Sequence, residues 1–467
     1  MKRLMFLYLV SAVLLAVSAT AENPRDMRFP PLKFEPPEPA RFVTDNGIIV
    51  YFLEDHQLPV ITVEALFKGG SAYDPPDLAG LAEITATVLR TGGAGKRNPE
   101  EVDAALDFVG ASISSVALND YLMLDMRALK KDAELGFEVL ADLLQRPLMD
   151  TAKIALEKSN RQDAIRRQND EPGGITRRIF YQTVYEGHPY GRFPTLETVG
   201  EISRESIIEQ HRKYYNPDNC IMAISGDLSP EELKTLLHKY FGQWQRGNMT
   251  ISALPRAAMN YKPGVYFASK DINQAHIRLG HLGIDNKNPD RFALEVLNFA
   301  LGGGGFTSRL TGQVRTTAGL AYSVGSYLLN RPLVGSFFAF CQTKAESMSQ
   351  AIRMMLDIIG KVKDSGITLD EMNMAKESII NSYIFNYATS EQMVNARAFL
   401  EFSGFPPDQL KKDLEAYQGV TLEDCNRVAS LYLDTAKIAL IVTGNKALFD
   451  KPLESFGPVT EVSLEIK

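Results

Sequence analysis

The sequence predicts an α+β protein built as two similar halves. Two observations carry this. Hairpin-like runs and amphipathic runs follow one another in separate blocks, not in a regular strand–helix alternation. The run Asn219-Cys220-Ile221-Met222-Ala223-Ile224-Ser225-Gly226-Asp227 is also echoed by Ala436-Lys437-Ile438-Ala439-Leu440-Ile441-Val442-Thr443-Gly444-Asn445, a period of roughly 215–220 residues. Each follows a helical pattern containing Tyr214 or Tyr432, and each precedes a segment closing at Phe241-Gly242 or Phe456-Gly457. With 467 residues, 45% of them hydrophobic, the chain is long enough for two or more cores.

Met1 to Ala21 reads as a secretory signal. Lys2 and Arg3 start it, Leu4 to Val17 forms the apolar run, and Ala19-Thr20-Ala21 is an A-x-A cleavage site. An uncleaved anchor is the alternative, disfavoured because the run is shorter than the ~20 residues of a typical span. No Cys follows the signal to carry a lipid. A proline-rich arm, residues 22–41, comes next and cannot form a helix. Asp45-Asn46-Gly47 is a turn signal before strands Ile48–Leu53 and Val60–Phe67.

The stretch around which the chain is organised runs from Leu78 to Leu89. Leu78, Leu81, Ala82, Thr85, Val88 and Leu89 recur at helical spacing, with Asp77 as the expected cap and Thr91-Gly92-Gly93 as the stop. Glu83, Ala86 and Thr87 are expected on the side turned towards a cleft. Asn98-Pro99 opens another helix, with Val102, Ala105, Leu106 and Val109 on one face. Ala111–Leu118 and Tyr121–Leu129 form a hairpin turning at Asn119-Asp120, then Lys131–Leu144 is amphipathic and Thr151–Gln168 is a polar helix. Arg246–Gly264, with Pro255 and Pro263, is the natural linker.

Composition excludes some function classes. Fifty-seven acidic against 50 basic side chains leave a formal charge of −7, the wrong sign for a general nucleic-acid binder. The glycine run Gly302–Gly305 lacks the Lys-Ser/Thr of a nucleotide loop. Cys220, Cys341 and Cys425 are few and odd in number, so buried thiols are expected rather than a disulfide framework. An exported chain so poor in Cys fits a bacterial envelope, the periplasm above all. The six histidines, His56, His188, His211, His238, His276 and His281, show no pairing with a carboxylate at metal-ligand spacing.

The organising stretch resembles the helix on which the pitrilysin/mitochondrial-processing-peptidase family of metallopeptidases (M16) carries its inverted zinc motif, H-x-x-E-H. That chemistry needs two imidazoles one helical turn apart on zinc, with a carboxylate to activate water. In this register Glu83 stands at the first His, Ala86 at the Glu and Thr87 at the second His. The family's distal Glu falls at Ala164, with Asp163 beside it. The resemblance therefore implies a member that has lost its own zinc site, with no metal expected in this chain. A substitute site on Glu83 and Asp163 would have only carboxylates to offer.

A second resemblance is more specific. Leu301-Gly302-Gly303-Gly304-Gly305-Phe306-Thr307-Ser308-Arg309-Leu310, followed by Val314-Arg315 and Gly319-Leu320-Ala321-Tyr322, is similar to the M16 C-terminal-domain signature. It implies that Arg315 and Tyr322 reach substrate, as a cation and a phenol suited to charge developing on a scissile carbonyl. It also places Gly303, Gly304 and Ser114 at the substrate, although active relatives usually carry Asn at the Ser114 position. The alternative for the pair is an ordinary ion pair of Arg315 and a sheet-packed Tyr322.

The resemblance spans about Phe42 to Val459 and implies two homologous domains, 42–245 and 265–467, forming half of a clam-shell chamber. Some members of the family divide the work between two chains, one bearing zinc and one supplying donors and substrate surface. The expectation is that this chain is the second kind, the partner of a zinc-bearing sister, acting on peptides or unfolded polypeptides laid along a sheet edge. The competing readings are a non-catalytic peptide-binding or scaffold protein of the envelope and a weakly active homodimer.

Overall fold

A computed structural model describes residues 35–247 and 250–466; the expected signal and residues 22–34 of the proline-rich arm lie outside them. The first half forms a six-stranded sheet of β1 (Ala40–Val43), β2 (Ile49–Glu54), β3 (Val60–Lys68), β4 (Ser112–Ala117), β5 (Tyr121–Leu129) and β6 (Cys220–Gly226). The second is built from β7 (Gly264–Ser269), β8 (Gln274–Leu282), β9 (Ala321–Leu329), β10 (Ser336–Lys344), β11 (Ala439–Gly444) and β12 (Val459–Glu461).

The strand orders are β1-β2-β6-β3-β5-β4 and β12-β7-β11-β8-β10-β9. In both sheets the late strand lies parallel to the first long strand and antiparallel to the next: β6 beside β2 and β3, β11 beside β7 and β8. The echo at Cys220–Gly226 and Ala439–Gly444 is therefore the same central strand in two copies. Such a strand is covered on both faces, which is why both runs are nearly continuously apolar. The expected hairpin is β4–β5, and β4 ends one sheet as β9 ends the other.

One face of each sheet carries its own core. Leu81–Thr91, Pro99–Val109 and Ala133–Gln145 cover the first, with Val63, Leu124 and Met222 beneath them. The helix at Pro99 starts as its sequence demands, since Asn98 and Glu101 close a reciprocal capping box and Pro99 loses no intrahelical bond at N1. Met348–Ser365 and Leu422–Tyr432 cover the second.

The opposite faces are covered by exchange. The helix Pro172–Val184 belongs to the first half but packs Ile175, Ile179 and Phe180 on Ala268, Phe338 and Ile441 of the second sheet. The helix Ser390–Phe402 returns from the second half and lays Val394 and Ala398 on Tyr51, Ile221 and Ala223 of the first. Separating the halves would bare both apolar faces at about 25 cal/mol per Å². From Pro36 onward the chain accordingly behaves as one unit.

The three cysteines are free and buried. Asp77, the expected cap of the organising helix, lies in a preceding turn instead. The capping group is Asp74, whose carboxylate accepts from the Gly80 and Ala82 N–H groups, both at 3.0 Å. Gly80 occupies the N-cap itself at φ 102°, where a side chain would be strained.

Candidate functional site

Each half presents one cluster, and the two differ. On the organising helix, Leu81, Ala82, Thr85, Val88 and Leu89 are buried, as the periodicity requires, whereas Leu78, expected on the same face, lies half-buried in the turn before the helix; Ile84, outside that periodic set, is buried as well. Ala86, expected on the cleft side, is 1% exposed and also lies in the core. It sits two positions after Ile84 and two before Val88, so burial wraps further round the helix than the apolar periodicity indicates. Thr87 is half-buried and its hydroxyl donates to the Glu83 carbonyl at 3.1 Å, a local bond within the helix. Glu83 accepts from Arg161 at 2.5 Å, and the same guanidinium holds Glu157 at 2.8 Å.

Arg161 stands on the helix Thr151–Arg166. That helix lies against the organising one, as the family resemblance implies for the distal ligand, yet the side chain that meets Glu83 is a cation. Ala164 is exposed on it, and Asp163 is exposed and paired with Arg166. These residues do not fit a zinc ion. Glu83 is the one donor at the motif and is already neutralised. Among the described residues no group of three His, Cys, Asp or Glu is placed to hold a metal.

The second cluster begins with the glycine run. Residues Phe299–Gly303 and Thr311–Thr317 form wide, π-type helical turns flanking a short turn at Gly305–Thr307. Gly302 touches the edge strand so closely that a Cβ would stand 2.5 Å from the Ser326 nitrogen, and Gly305 turns at φ 58°. Ser308 donates to the Gly305 carbonyl at 2.7 Å, Thr311 donates to the Val324 carbonyl at 3.1 Å, and Leu310 and Val314 are fully buried. Arg309 makes a two-pronged pair with Glu371 on the helix Leu369–Tyr383, at 2.6 and 2.7 Å.

This rigid base leaves Arg315 and Tyr322 together at the surface. The Arg315 guanidinium lies 5.0 Å from the Tyr322 ring centre and 4.8 Å from that of Phe306. Tyr322 is 80% exposed and Phe306 70%. Neither alternative contact forms among the described residues: Arg315 has no ion pair, and Tyr322 does not pack within the sheet. An aromatic–cation stack of this kind is worth only about 0.5–1 kcal/mol when exposed. Gly303 is exposed and Gly304 half-buried beside it. The motif by itself gives Phe306 no role; its place beside Arg315 depends on the turn at Gly305.

The geometry separates the two clusters. Tyr322 is the second residue of β9 and Leu329 its last, so about 23 Å of strand lies between them at ~3.3 Å per residue, and Arg331 follows two residues further on. Arg331 shares a cavity with Glu83. Tyr322 thus stands at the opposite end of β9 from the residue that shares a cavity with Glu83. Ser114 lies elsewhere again: it is exposed on β4, donates to Asp125 at 3.3 Å, and shares a small cavity with Glu64 and Glu391. Burial pushes the Glu64 carboxyl up to about 7, with Asp125 and Glu391 adding repulsion.

Comparison with known proteins shows the family and the fold. Residues 50–197 match the insulinase family model (peptidase family M16), and residues 201–379 match the model described as the peptidase M16 inactive domain. Among curated relatives, the uncharacterized zinc protease YmxG of Bacillus subtilis is 24% identical over 406 residues, 86% of this chain and 97% of that one. The uncharacterized zinc protease ML0855 of Mycobacterium leprae is 26% identical over 371 residues, 78% of this chain and 82% of its own. Among solved structures, a peptidase M16 inactive domain from Pseudomonas fluorescens superposes with a TM-score of 0.81 at 23% identity, over 89% of this chain and all of that one, its coverage being 100%. The periplasmic protease PqqL of Escherichia coli superposes with a TM-score of 0.75 at 16% identity, over 91% of this chain and 49% of that one. The chain belongs to peptidase family M16.

Proposed function

We propose that this protein is the non-zinc subunit of a two-chain peptidase of the bacterial envelope. It pairs with a zinc-bearing M16 chain, and the pair hydrolyses peptides or unfolded polypeptides. One observation carries the reading. A cation and a phenol stack on each other at the surface on a rigid base, without an ion pair among the described residues, and about 23 Å of strand separates Tyr322 from the end of β9 that leads to the cavity beside Glu83. Donors so placed serve a centre on another molecule.

In this reading zinc, and the activation of water, belong to the partner. This chain adds two donors. The Tyr322 hydroxyl and the Arg315 guanidinium hydrogen-bond the oxygen on which charge develops, stabilising it more than the ground-state carbonyl. The substrate lies as an added strand on a sheet edge, held by main-chain bonds, with Gly303 and Gly304 allowing close approach and Ser114 on the other edge strand. A leader at residues 1–21 would deliver the chain to the periplasm.

The test is metal content and peptidase activity of the purified mature chain, alone and mixed with a zinc-bearing M16 chain from the same genome. The expected result is no zinc and no turnover alone, with turnover of the mixture above that of the sister by itself. Stoichiometric zinc and cleavage by the lone chain would overturn the reading. Silence in every mixture would favour a peptide-binding scaffold.

A further inference from the structure

Beside Glu83 the first half opens into a cavity of about 390 Å³. Three arginines from three different segments line it: Arg177 on the exchanged helix, Arg192 after the turn at Pro189–Gly191, and Arg331 in the β9–β10 connection. In a chain of net charge −7, three guanidinium groups converging on one cavity call for an anion.

The protein's own carboxylates supply it only in part, since none of them forms an ion pair with Arg177, Arg192 or Arg331 among the described residues. Glu83 is held by Arg161. Asp74 is spent on the Gly80 and Ala82 N–H groups. Asp120 accepts from the Tyr190 hydroxyl and faces Arg331 electrostatically without bonding to it, as Asp74 faces Arg192. Arg192 donates to the Asp74 carbonyl at 2.6 Å, which uses one of its five donors. Arg331 is gripped by rings, 4.5 Å from the centre of Tyr190 and 5.6 and 5.8 Å from Tyr185 and Tyr181, and its Nη1 is buried without an acceptor. Arg177 has neither hydrogen bond nor ion pair among the described residues.

We propose that this cavity binds the carboxylate of a peptide. Its position argues for a peptide rather than a small free anion. Ala117, Leu118 and Asn119 line it, and these are the last residue of the edge strand β4 and the turn that follows. A peptide laid along β4 runs off the strand into the arginines, so the group presented there is the chain's terminal carboxylate or an acidic side chain near its end. Two-pronged guanidinium contacts suit either source. The inference rests on the peptide-binding reading above but not on hydrolysis.

The experiment uses the lone mature chain and fluorescence anisotropy with one labelled, unstructured peptide in three forms: free acid, C-terminal amide, and amide ending in Asp. The free acid is expected to bind about tenfold or more tighter than the amide, the size of one charge-assisted contact. Arg177→Gln, an exposed change that leaves the core intact, and Arg331→Gln should each reduce that preference, with melting temperature checked for both. If the Asp amide matches the free acid, the carboxylate site stands and its source is a side chain. Equal binding of acid and amide, binding of neither, or a preference unchanged in both variants would overturn the inference. A silent enzyme mixture with the acid preference intact would sink only the hydrolytic reading; an active mixture without the preference would sink only this one.

Discussion

The organising helix and the Arg315–Tyr322 surface each resemble part of a peptidase motif, yet they have opposite fates in this chain. At Glu83, Ala86 and Thr87 every side chain has been absorbed into the structure: one ion-paired, one in the core, one bonded to its own helix. At Arg315 and Tyr322 the base is spent on structure through Arg309, Leu310 and Val314, while the two tips make only their mutual stack and that with Phe306. A polar group kept exposed and unpaired on a rigid support contributes little to folding. The difference teaches where function has to be sought in a member without its own zinc ligands.

The comparison breaks most sharply at Ala86. Ala86→Glu, the step towards restoring the motif's base, should destabilise the fold by about 3 kcal/mol or more, because a carboxylate would enter a site with no partner. Urea unfolding reads this directly, and an unchanged midpoint would mean that this helix face is open after all.

Tyr322→Phe is the next largest effect and of the other kind. Turnover by the mixed pair should fall roughly 100-fold, the size of one lost oxyanion donor, while unfolding of the lone chain stays within about 0.5 kcal/mol of the parent. Equal turnover would remove Tyr322 from the chemistry.

A pH series sharpens the contrast at the sheet faces. Glu64 and Asp74 are both pushed up to about 7 by burial. The native state then binds more protons than the unfolded chain between the ordinary carboxylate range and neutrality. Their contribution to stability therefore falls as pH rises from about 4 to about 7. Glu64→Gln should flatten that slope and stabilise the protein at pH 8 by on the order of 1–2 kcal/mol. A slope unaltered in the variant would place the titration elsewhere.

Arg161→Ala should matter least. Its pair with Glu83 is about a third exposed, 35% and 31%, so unfolding should shift by under ~1 kcal/mol. Zinc binding by this variant, measured by equilibrium dialysis, is expected to be absent, since freeing one carboxylate does not create a ligand set.

The same sheet position also differs between the halves. Glu64 on β3 and Arg278 on β8 occupy matching places beneath the two exchanged helices. Glu64 receives Asn395 at 3.2 Å, whereas Arg278 lies 4.2 Å from the Phe338 ring centre and 5.8 Å from that of Phe180. At this one position the first copy is acidic and polar, and the second is a cation held among aromatic rings.

Much of this was legible in the residues. The strands at Val60–Lys68 and Tyr121–Leu129, the helix opened by Asn98-Pro99 and the repeated central strand follow from periodicity, capping and turn chemistry, all of which act over a few residues. The glycine-to-tyrosine motif was legible too, because its Gly302 and Gly305 conformations and its buried Leu310 and Val314 are local demands. The cap was misplaced because Asp77 sits where a cap usually sits, while Asp74 reaches back from a bend in the chain.

What the sequence determined by itself is the fold class, the duplication and the absence of imidazoles from the motif positions. Those are matters of composition and short-range pattern. Only the tertiary structure decided which helix covers which sheet, that Arg161 neutralises Glu83 from 78 positions away, and that Arg177, Arg192 and Arg331 meet at one cavity. The physical reason is common to all three. An amphipathic helix specifies that it must bury a face, not against which sheet, and a charge specifies its sign, not its partner; both are settled only when distant segments pack.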